Sequence, residues 1–376
     1  MSSWIKNINL EGDRTIWGVV LALSLSSILV VYSTAGWHFL FSHITKLLLG
    51  LFAMYVVHKI KFKYFSKIGQ LGFLFSLFLL VLVLLIGVSV NGASRWLQIA
   101  GQQFQPSDVA KLAILVYMAR QISKQRDSLH DFKELFWHVL GPLILVCVLI
   151  LPNNFSTAAL VFINGLVLMF VGKIRIKFIA AIIGFAFVGA LTIYATAKFT
   201  PLGTKIMPRS ATWVSRIDSY FVDAKGDEQT KDFQQTQALV AIQNGGMTGV
   251  GPGKSTQRNI LPYSSSDFIY AIIIEEYGLF GGVLALLFYL ILMFRAIRIA
   301  LRVESVFGSL LATGLMFSLV FQALINMLVS VEVLPVTGQT LPLISMGGTS
   351  IVFSCIAIGI VLSVSRDATD RKYEKA

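Results

Sequence analysis

Ten apolar runs, most of them near the ~20 residues an α-helix needs to cross a ~30 Å hydrocarbon layer, punctuate this chain. They fall at 15–35, 43–59, 68–90, 106–122, 136–152, 155–172, 177–198, 267–294, 305–329 and 348–365. The second, fourth and fifth are short or carry polar residues. Only 13% of the 376 residues are charged and 56% are hydrophobic, whereas a soluble chain carries roughly a quarter charged residues. The expected fold is an all-α polytopic membrane protein with about ten transmembrane helices. It forms a single integral membrane domain over 1–376, with a large extracytoplasmic loop between spans 7 and 8, at about 199–266. Residues 1–15 are polar and the first apolar run is long enough to remain as a signal anchor, so no cleaved leader is expected.

The net charge of +12 invites a nucleic-acid reading, but the positions of the cations argue otherwise. With the N-terminus placed in the cytoplasm, the inner loops carry Lys59, Lys61, Lys63 and Lys67, then Arg120, Lys124, Arg126 and Lys133. The series continues with Lys173, Arg175 and Lys177, then Arg295, Arg298 and Arg302, and ends with Arg366, Arg371, Lys372 and Lys375. The short outer loops at 36–42, 91–105, 153–154 and 330–347 hold one basic residue, Arg95. This is the asymmetry of the positive-inside rule. It puts both termini in the cytoplasm and requires no nucleic-acid partner. Cys147 and Cys355 lie inside apolar runs, so no structural disulfide is expected.

The long outer stretch breaks the economy of the other loops, and long loops are usually functional. It holds Arg209, Arg216, Asp218, Asp223, Asp227 and Glu228, and FQQTQALVAI within it has helical spacing. Its end, from Gln234 to Gly282, passes from a polar glycine-rich segment into an apolar helix. NGGMTGVGPGKS is not a nucleotide phosphate loop, because Thr248 stands where that pattern requires its first glycine. Two readings of the glycines stand: simple turns, or backbone amides that cradle a phosphate-bearing lipid head group with Lys254 and Arg258. Asp267 follows three serines at the junction, which suits a helix N-terminus as well as it suits chemistry. Glu275 and Glu276 lie about two turns further in. Intramembrane carboxylates usually face partners or a cavity, and adjacent residues point about 100° apart, so both cannot face one ligand.

Elsewhere, QPSDVAKL opens the fourth span, and Asp108 and Lys111 are spaced for an intrahelical ion pair. Alternatively Lys111 faces an anionic substrate in a cavity. Arg95-Trp96 reads as an interfacial anchor or as a pyrophosphate contact through Arg95. The last outer loop, LPVTGQTLPLISMGGTS, contains Ser345 and is rich in Pro, Gly, Ser and Thr. Irregular backbone at membrane depth is tolerated only inside protein or along a cavity, so this loop is expected to dip into the structure. No His or Cys cluster has zinc spacing, and no Ser-His nucleophile motif is present.

These segments together resemble the SEDS family (shape, elongation, division and sporulation). The resemblance covers essentially the whole chain. It rests on YSTAG, RWLQIAGQQFQPSDVAKL, NFSTAAL, AIQNGGMTGVGPGKSTQRNILP followed by SDFIYAIIIEEYGLFGG, and LPVTGQTLPLISMGGTS. The GPGKSTQRNILP segment looks more like the division branch than the elongation branch. The resemblance implies a peptidoglycan glycosyltransferase of the bacterial cytoplasmic membrane, placed at the division septum. Such an enzyme polymerises lipid II, a disaccharide-pentapeptide on undecaprenyl pyrophosphate, beside a class B penicillin-binding protein transpeptidase and other divisome proteins. The family's proposed catalytic aspartate maps onto Asp267, as general base for the acceptor hydroxyl. Charge on the pyrophosphate leaving group would be met by Arg, Lys or a divalent cation. Arg95, Lys111, Arg216, Lys254 and Arg258 are the candidates, the first two foremost, with Glu275 and Ser345 as further substrate contacts.

The chain departs from the family pattern in places. Tyr263 and Ser265 replace a glutamate and a histidine, Asp108 stands for a glutamate, and Asn154 and Ser156 replace an aspartate and a glycine. No acidic role can be assigned at 263 or 154. Competing readings are a lipid II flippase, a non-catalytic division scaffold, and the elongation-type polymerase. The conspicuous polar groups gather at 91–108, 209–267 and 335–349 on the outer side rather than along a transmembrane path, which favours a polymerase over a flippase.

Overall fold

The computed structural model describes residues 10–90, 93–99, 101–200, 210–223 and 233–374. The first helix, α1 (Arg14–Lys59), is 46 residues long, roughly 70 Å if straight and so about two membrane spans. It is not straight. Gly36 has φ 74° and ψ −179°, and the helix reverses there. The Trp17 ring meets the His58 ring edge-on at 5.2 Å, although a straight helix would separate them by about 60 Å. Ser27 Oγ likewise lies 2.7 Å from His43 Nε2. α1 is therefore a hairpin whose arms occupy the expected spans 15–35 and 43–59, and the loop expected at 36–42 is reduced to a glycine bend.

The chain continues through α2 (Phe65–Ile86), α3 (Pro106–Lys124), α4 (Phe132–Ile150), α5 (Phe155–Val171) and α6 (Ile176–Phe199). Two shorter helices follow, α7 (Ser210–Asp223) and α8 (Phe233–Gly245). The last three are α9 (Ile269–Arg302), α10 (Val306–Ser330) and α11 (Ser350–Glu374). Seven helices among the described residues are long and apolar enough to cross a membrane, α1 among them. α3 falls short because it carries Asp108, Lys111, Arg120 and Lys124, and α5 because it has 17 residues. With α1 taken as two arms and these two added, the helices match the ten expected spans. The chain is a multi-pass membrane protein. α7 and α8 lie in the long stretch before α9, and FQQTQALVAI is helical as its spacing predicts. Arg209, Asp227 and Glu228 lie outside the described residues.

The bundle is all-α as expected, and one short sheet is inserted in it. Between α2 and α3 the chain forms β1 (Val88–Val90), β2 (Ala93–Ile99) and β3 (Gln102–Phe104), an antiparallel sheet in the order β1-β2-β3. Leu97 pairs with Phe104 and packs on Leu79 and Val83 of α2. This anchors the sheet on the helix bundle.

Among the seven long apolar helices α10 and α11 are the most buried, whereas α6 buries only Ile179 and Ile182 and sits at the periphery. At the end away from the sheet, Asp13 caps α1 by accepting from Thr15 N at 2.9 Å and Ile16 N at 3.2 Å. Its other oxygen accepts from Arg295 Nε at 2.8 Å, tying α1 to α9. At the sheet end, residues between α10 and α11 do dip inward: Leu341, Leu343, Ile344 and Ser345 are buried. Their backbone is satisfied from inside the bundle, since Ser27 Oγ donates to Ile344 O at 2.7 Å and the buried Tyr289 hydroxyl donates to Pro342 O. This is the condition under which irregular backbone is tolerated at membrane depth.

The glycine-rich segment has a structural use that its sequence left open. α9 bends at Gly278 (φ 70°), and the loop after α8 lies against the bend, backbone on backbone. Val250 N donates to Glu275 O at 2.9 Å, Gly251 N to Glu276 O at 3.0 Å, and Leu279 N to Gly246 O at 2.9 Å. A Cβ on Gly249 (φ 81°) would lie 2.3 Å from Glu276 O, and one on Gly278 would lie 2.2 Å from Met247 O. The amides of Val250 and Gly251 are thus spent on α9 rather than turned towards a phosphate. Gly249→Ala should therefore destabilise the protein by about 1–3 kcal/mol through steric conflict and backbone strain. Gly184→Ala in α6, where nothing lies within 4 Å of the added carbon, should be neutral or stabilise by up to about 1 kcal/mol. Thermal unfolding in detergent checks both, and equal melting temperatures would show that the contact at Gly249 yields freely.

Candidate active site

A cavity of about 520 Å³ opens at the sheet end. β2 and β3, the start of α3, the second arm of α1, the turn before α9 and the loop before α11 enclose it. Asp267, Arg95, Lys111, Lys46, Trp96 and Asp108 contribute its chemistry.

Asp267 sits on a tight turn. Tyr263 adopts φ 58°, and its carbonyl accepts from Ser266 N at 3.0 Å, Asp267 N at 3.1 Å and Phe268 N at 3.3 Å. α9 begins only at Ile269, with Phe268 at the N-cap and no side-chain cap. The helix-capping reading of Asp267 therefore finds no support in the geometry, and the carboxylate lines the cavity instead. Burial raises its pKa above the ordinary carboxylate value. Arg95 opposes this, as do Ser266 and Arg216 to a lesser degree.

Arg95 lies on β2, and its Nε is buried without a hydrogen-bond partner. Burial lowers the pKa of its guanidinium, Asp267 offsets this, and Arg216 adds to it. Lys111 Nζ donates to Gln322 Oε1 at 2.6 Å, while Asp108 Oδ2 accepts from Thr349 Oγ1 at 3.2 Å. Both side chains line the cavity, and each has its closest polar partner on another element rather than in the other. Arg216, on α7, donates to Val336 O at 2.9 Å and is near enough to Asp267 and Arg95 to act on both electrostatically.

The remaining expected residues lie elsewhere. Lys254 is exposed and outside the cavity. Arg258 donates to Ser33 O at 2.9 Å and faces a second cavity of about 650 Å³, with Tyr32, Trp37, Asn259 and Tyr277. Glu275 is fully buried and serves the fold. It accepts from Ser255 Oγ, from Thr256 Oγ1 at 2.9 Å and N at 3.2 Å, and from Gln257 N at 3.3 Å. The expectation that it touches substrate is corrected: its cost of burial is met by closing the 255–257 turn. Ser345 is also buried, its hydroxyl donating to Ser266 O at 2.6 Å and accepting from Leu341 N at 2.7 Å, so it supports the Asp267 turn rather than facing a ligand. Asn154 caps α5 by accepting from Thr157 N at 3.1 Å and lines the cavity. Asp218 pairs with Lys198 at 2.9 Å.

Sequence reasoning missed Lys46, His43, Gln322 and Asn326. All four interrupt apolar runs, and Gln322 and Asn326 lie one turn apart on α10, a signal that could have marked them. Among the described residues no three His, Cys, Asp or Glu side chains converge on a metal-sized site. The donors around Asp267 are mainly cationic, a set that does not fit a divalent cation held by the protein alone.

Several known proteins are similar to this chain in sequence or in architecture. The probable peptidoglycan glycosyltransferase FtsW of Geobacter sp. (strain M18) is 31% identical over 358 residues, covering 93% of each chain. Stage V sporulation protein E of Bacillus subtilis (strain 168) is 33% identical over 322 residues, 85% of this chain and 84% of that one. Among solved structures, a chain of a peptidoglycan synthase complex that coordinates polymerization and crosslinking superposes with a TM-score of 0.78 at 24% identity. The match covers 95% of this chain and 98% of that one. The rod shape determining protein RodA of Thermus thermophilus gives 0.67 at 24% identity, over 95% and 97%. The profile of the FtsW, RodA and SpoVE cell cycle proteins matches residues 11–370, and the chain belongs to that family.

Proposed function

We propose that the chain is a peptidoglycan glycosyltransferase that polymerises lipid II into glycan strands, with Asp267 as its general base. The observation that carries this reading is a half-buried carboxylate with a raised pKa in one cavity with Arg95, whose Nε has no hydrogen-bond partner, and with Lys111 and Lys46. Family membership and the names of the relatives supply the substrate class.

The reaction follows from the groups present. Asp267 takes the proton of the acceptor GlcNAc 4-hydroxyl as that oxygen attacks C1 of the donor MurNAc. The new O4–C1 bond forms while the bond from C1 to the phosphate oxygen breaks, inverting the anomeric centre. Undecaprenyl pyrophosphate leaves with the electron pair. Arg95, Lys111 and Lys46 face the cavity where that charge develops, and electrostatic stabilisation of this kind is usually the largest catalytic contribution. Asp108 and Arg216 adjust the local field. We further propose that Asp267 faces the outside, with both termini cytoplasmic, and that one membrane domain works at the septum. A class B transpeptidase partner and other divisome proteins complete the proposal. The synthase complex among the structural neighbours supports a polymerase beside a crosslinking enzyme.

Two results are expected from lipid II polymerisation in liposomes with the partner present. Asp267→Asn removes the base and should lower kcat by at least ~100-fold, with no loss of folded protein. Strands made equally well by this variant would assign Asp267 a structural role, and no strands from the wild type would turn attention to lipid transport. The pH profile adds an independent check. A general base must be ionised, so the rate falls as pH drops through its pKa; because burial raises the Asp267 pKa, the acidic limb should lie above the ~3.9 of a free aspartate. Arg95 holds that pKa down, so Arg95→Gln should move the limb to higher pH and raise KM for lipid II. A limb unmoved in Arg95→Gln would separate the two groups.

A further inference from the structure

α10 carries two buried amides one helical turn apart, Gln322 and Asn326. Gln322 Nε2 donates to Thr340 O at 2.9 Å, which turns its Oε1 towards Lys111 Nζ at 2.6 Å. Asn326 Nδ2 donates both to Gln339 O at 2.7 Å and to Asp267 O at 2.6 Å. The backbone carbonyl of the proposed base, the side-chain amine of the proposed cation and two consecutive carbonyls of the last loop are thus all referred to one rigid helix. The Asp267 turn is held further by the same loop, since Met346 N donates to Ser265 O at 2.8 Å and Ser345 Oγ to Ser266 O at 2.6 Å. Three successive carbonyls, of Ser265, Ser266 and Asp267, therefore have partners on α10 or the loop that follows it.

We infer that Gln322 and Asn326 are positioning residues for the transfer reaction, Gln322 aiming Lys111 into the cavity and Asn326 fixing the Asp267 turn at a set distance from it. This deepens the polymerase reading and rests on it. Neither amide needs to touch the sugars. Their spacing is that of successive helical turns, about 5–6 Å, and it is transmitted through the two planar amides. An amide is suited to the task because it offers a donor and an acceptor on one planar group. Gln322 uses both at once, so its Oε1 cannot turn away from Lys111 without forfeiting Thr340 O. Asn326 uses both amide hydrogens on carbonyls of different segments, which locks the Asp267 turn to the last loop.

The two amides should fail in different ways. Asn326→Leu keeps the packing volume but frees the Asp267 turn, and a misplacement of about 1 Å can cost ~100-fold in rate. The expected result is a fall in kcat of at least ~30-fold with KM for lipid II changed less than about threefold. The charged groups acting on Asp267 are Arg95 from β2 and Arg216 from α7, and Lys46, Asp108 and Lys111 line the same cavity. Once the carboxylate drifts from the arginines, the acidic limb of the rate profile should move to higher pH. Gln322→Leu leaves Lys111 without its acceptor and should raise KM about tenfold with a smaller effect on kcat.

The assay is lipid II polymerisation by the full chain with its partner in liposomes, measured across pH. The position of the acidic limb does not depend on how much enzyme is folded, so it remains informative if a variant is unstable. An Asn326→Leu enzyme with unchanged kcat and an unmoved limb overturns the inference while wild-type activity upholds the polymerase. Identical kinetic signatures for both variants overturn the division of roles. An inactive wild type overturns the polymerase reading and this inference together.

Discussion

Asp267 and Arg95 share one cavity, and each reduces the cost of burying the other. A buried ion needs a partner of opposite sign and satisfied hydrogen bonds, or it neutralises. Here the satisfaction is incomplete: the carbonyls of Ser265, Ser266 and Asp267 all have donors, while Arg95 Nε is left without a partner. Rigidity is thus concentrated in the main chain and unspent capacity in the side chains. A site of that kind holds its charges ready for a ligand without having to rearrange when the ligand arrives.

The same economy governs the other acidic residues near the boundary. Glu275 is as deep as any carboxylate in the bundle, yet it is spent on Ser255, Thr256 and Gln257. By closing that turn it fixes the segment that lies against the bend of α9 at Gly278. The bend in turn lets the first part of α9 fold over the second, where Ile274 lies against Gly282 with no room for a side chain. Asp267 immediately precedes that first part. The glycines after α8 therefore matter to the site through the direction in which they let α9 begin.

The fold was legible where hydrocarbon burial writes directly into composition. All ten apolar runs correspond to helical segments, and the inward dip of the last loop followed from its polarity at membrane depth. The sheet was not legible, because β1 and β3 have three residues each and no alternation is readable over so short a run. Asp267 stood out as a boundary carboxylate, but capping and chemistry use the same residue type, and only the position of the helix start at Ile269 separates them. Glu275 misled for the opposite reason: a carboxylate in an apolar run signals a demand for partners, and sequence cannot say whether a loop or a substrate supplies them. Lys111 was readable as a cation in search of an anion, but its orienting amide lies 211 residues away on α10, and Asp108, one turn before it, was the more visible partner.

Charge balance in the cavity bears on the class of substrate. Lys46, Arg95 and Lys111 line it, Arg216 acts on it from α7, and the acidic side chains are Asp108 and Asp267. With both carboxylates ionised the cations remain in excess. A sugar-linked pyrophosphate carries a negative charge on each phosphate and gains another as the sugar bond breaks, so an excess of cations binds the departing state more strongly than the starting one. That difference, and not tight binding as such, is what lowers a barrier. The lipid tail of such a substrate stays in hydrocarbon while its sugars react at the cavity, which requires the cations to stand at the level where the helices meet water. Arg95 on the sheet and Lys111 one turn inside α3 bring a cation to that cavity from two elements.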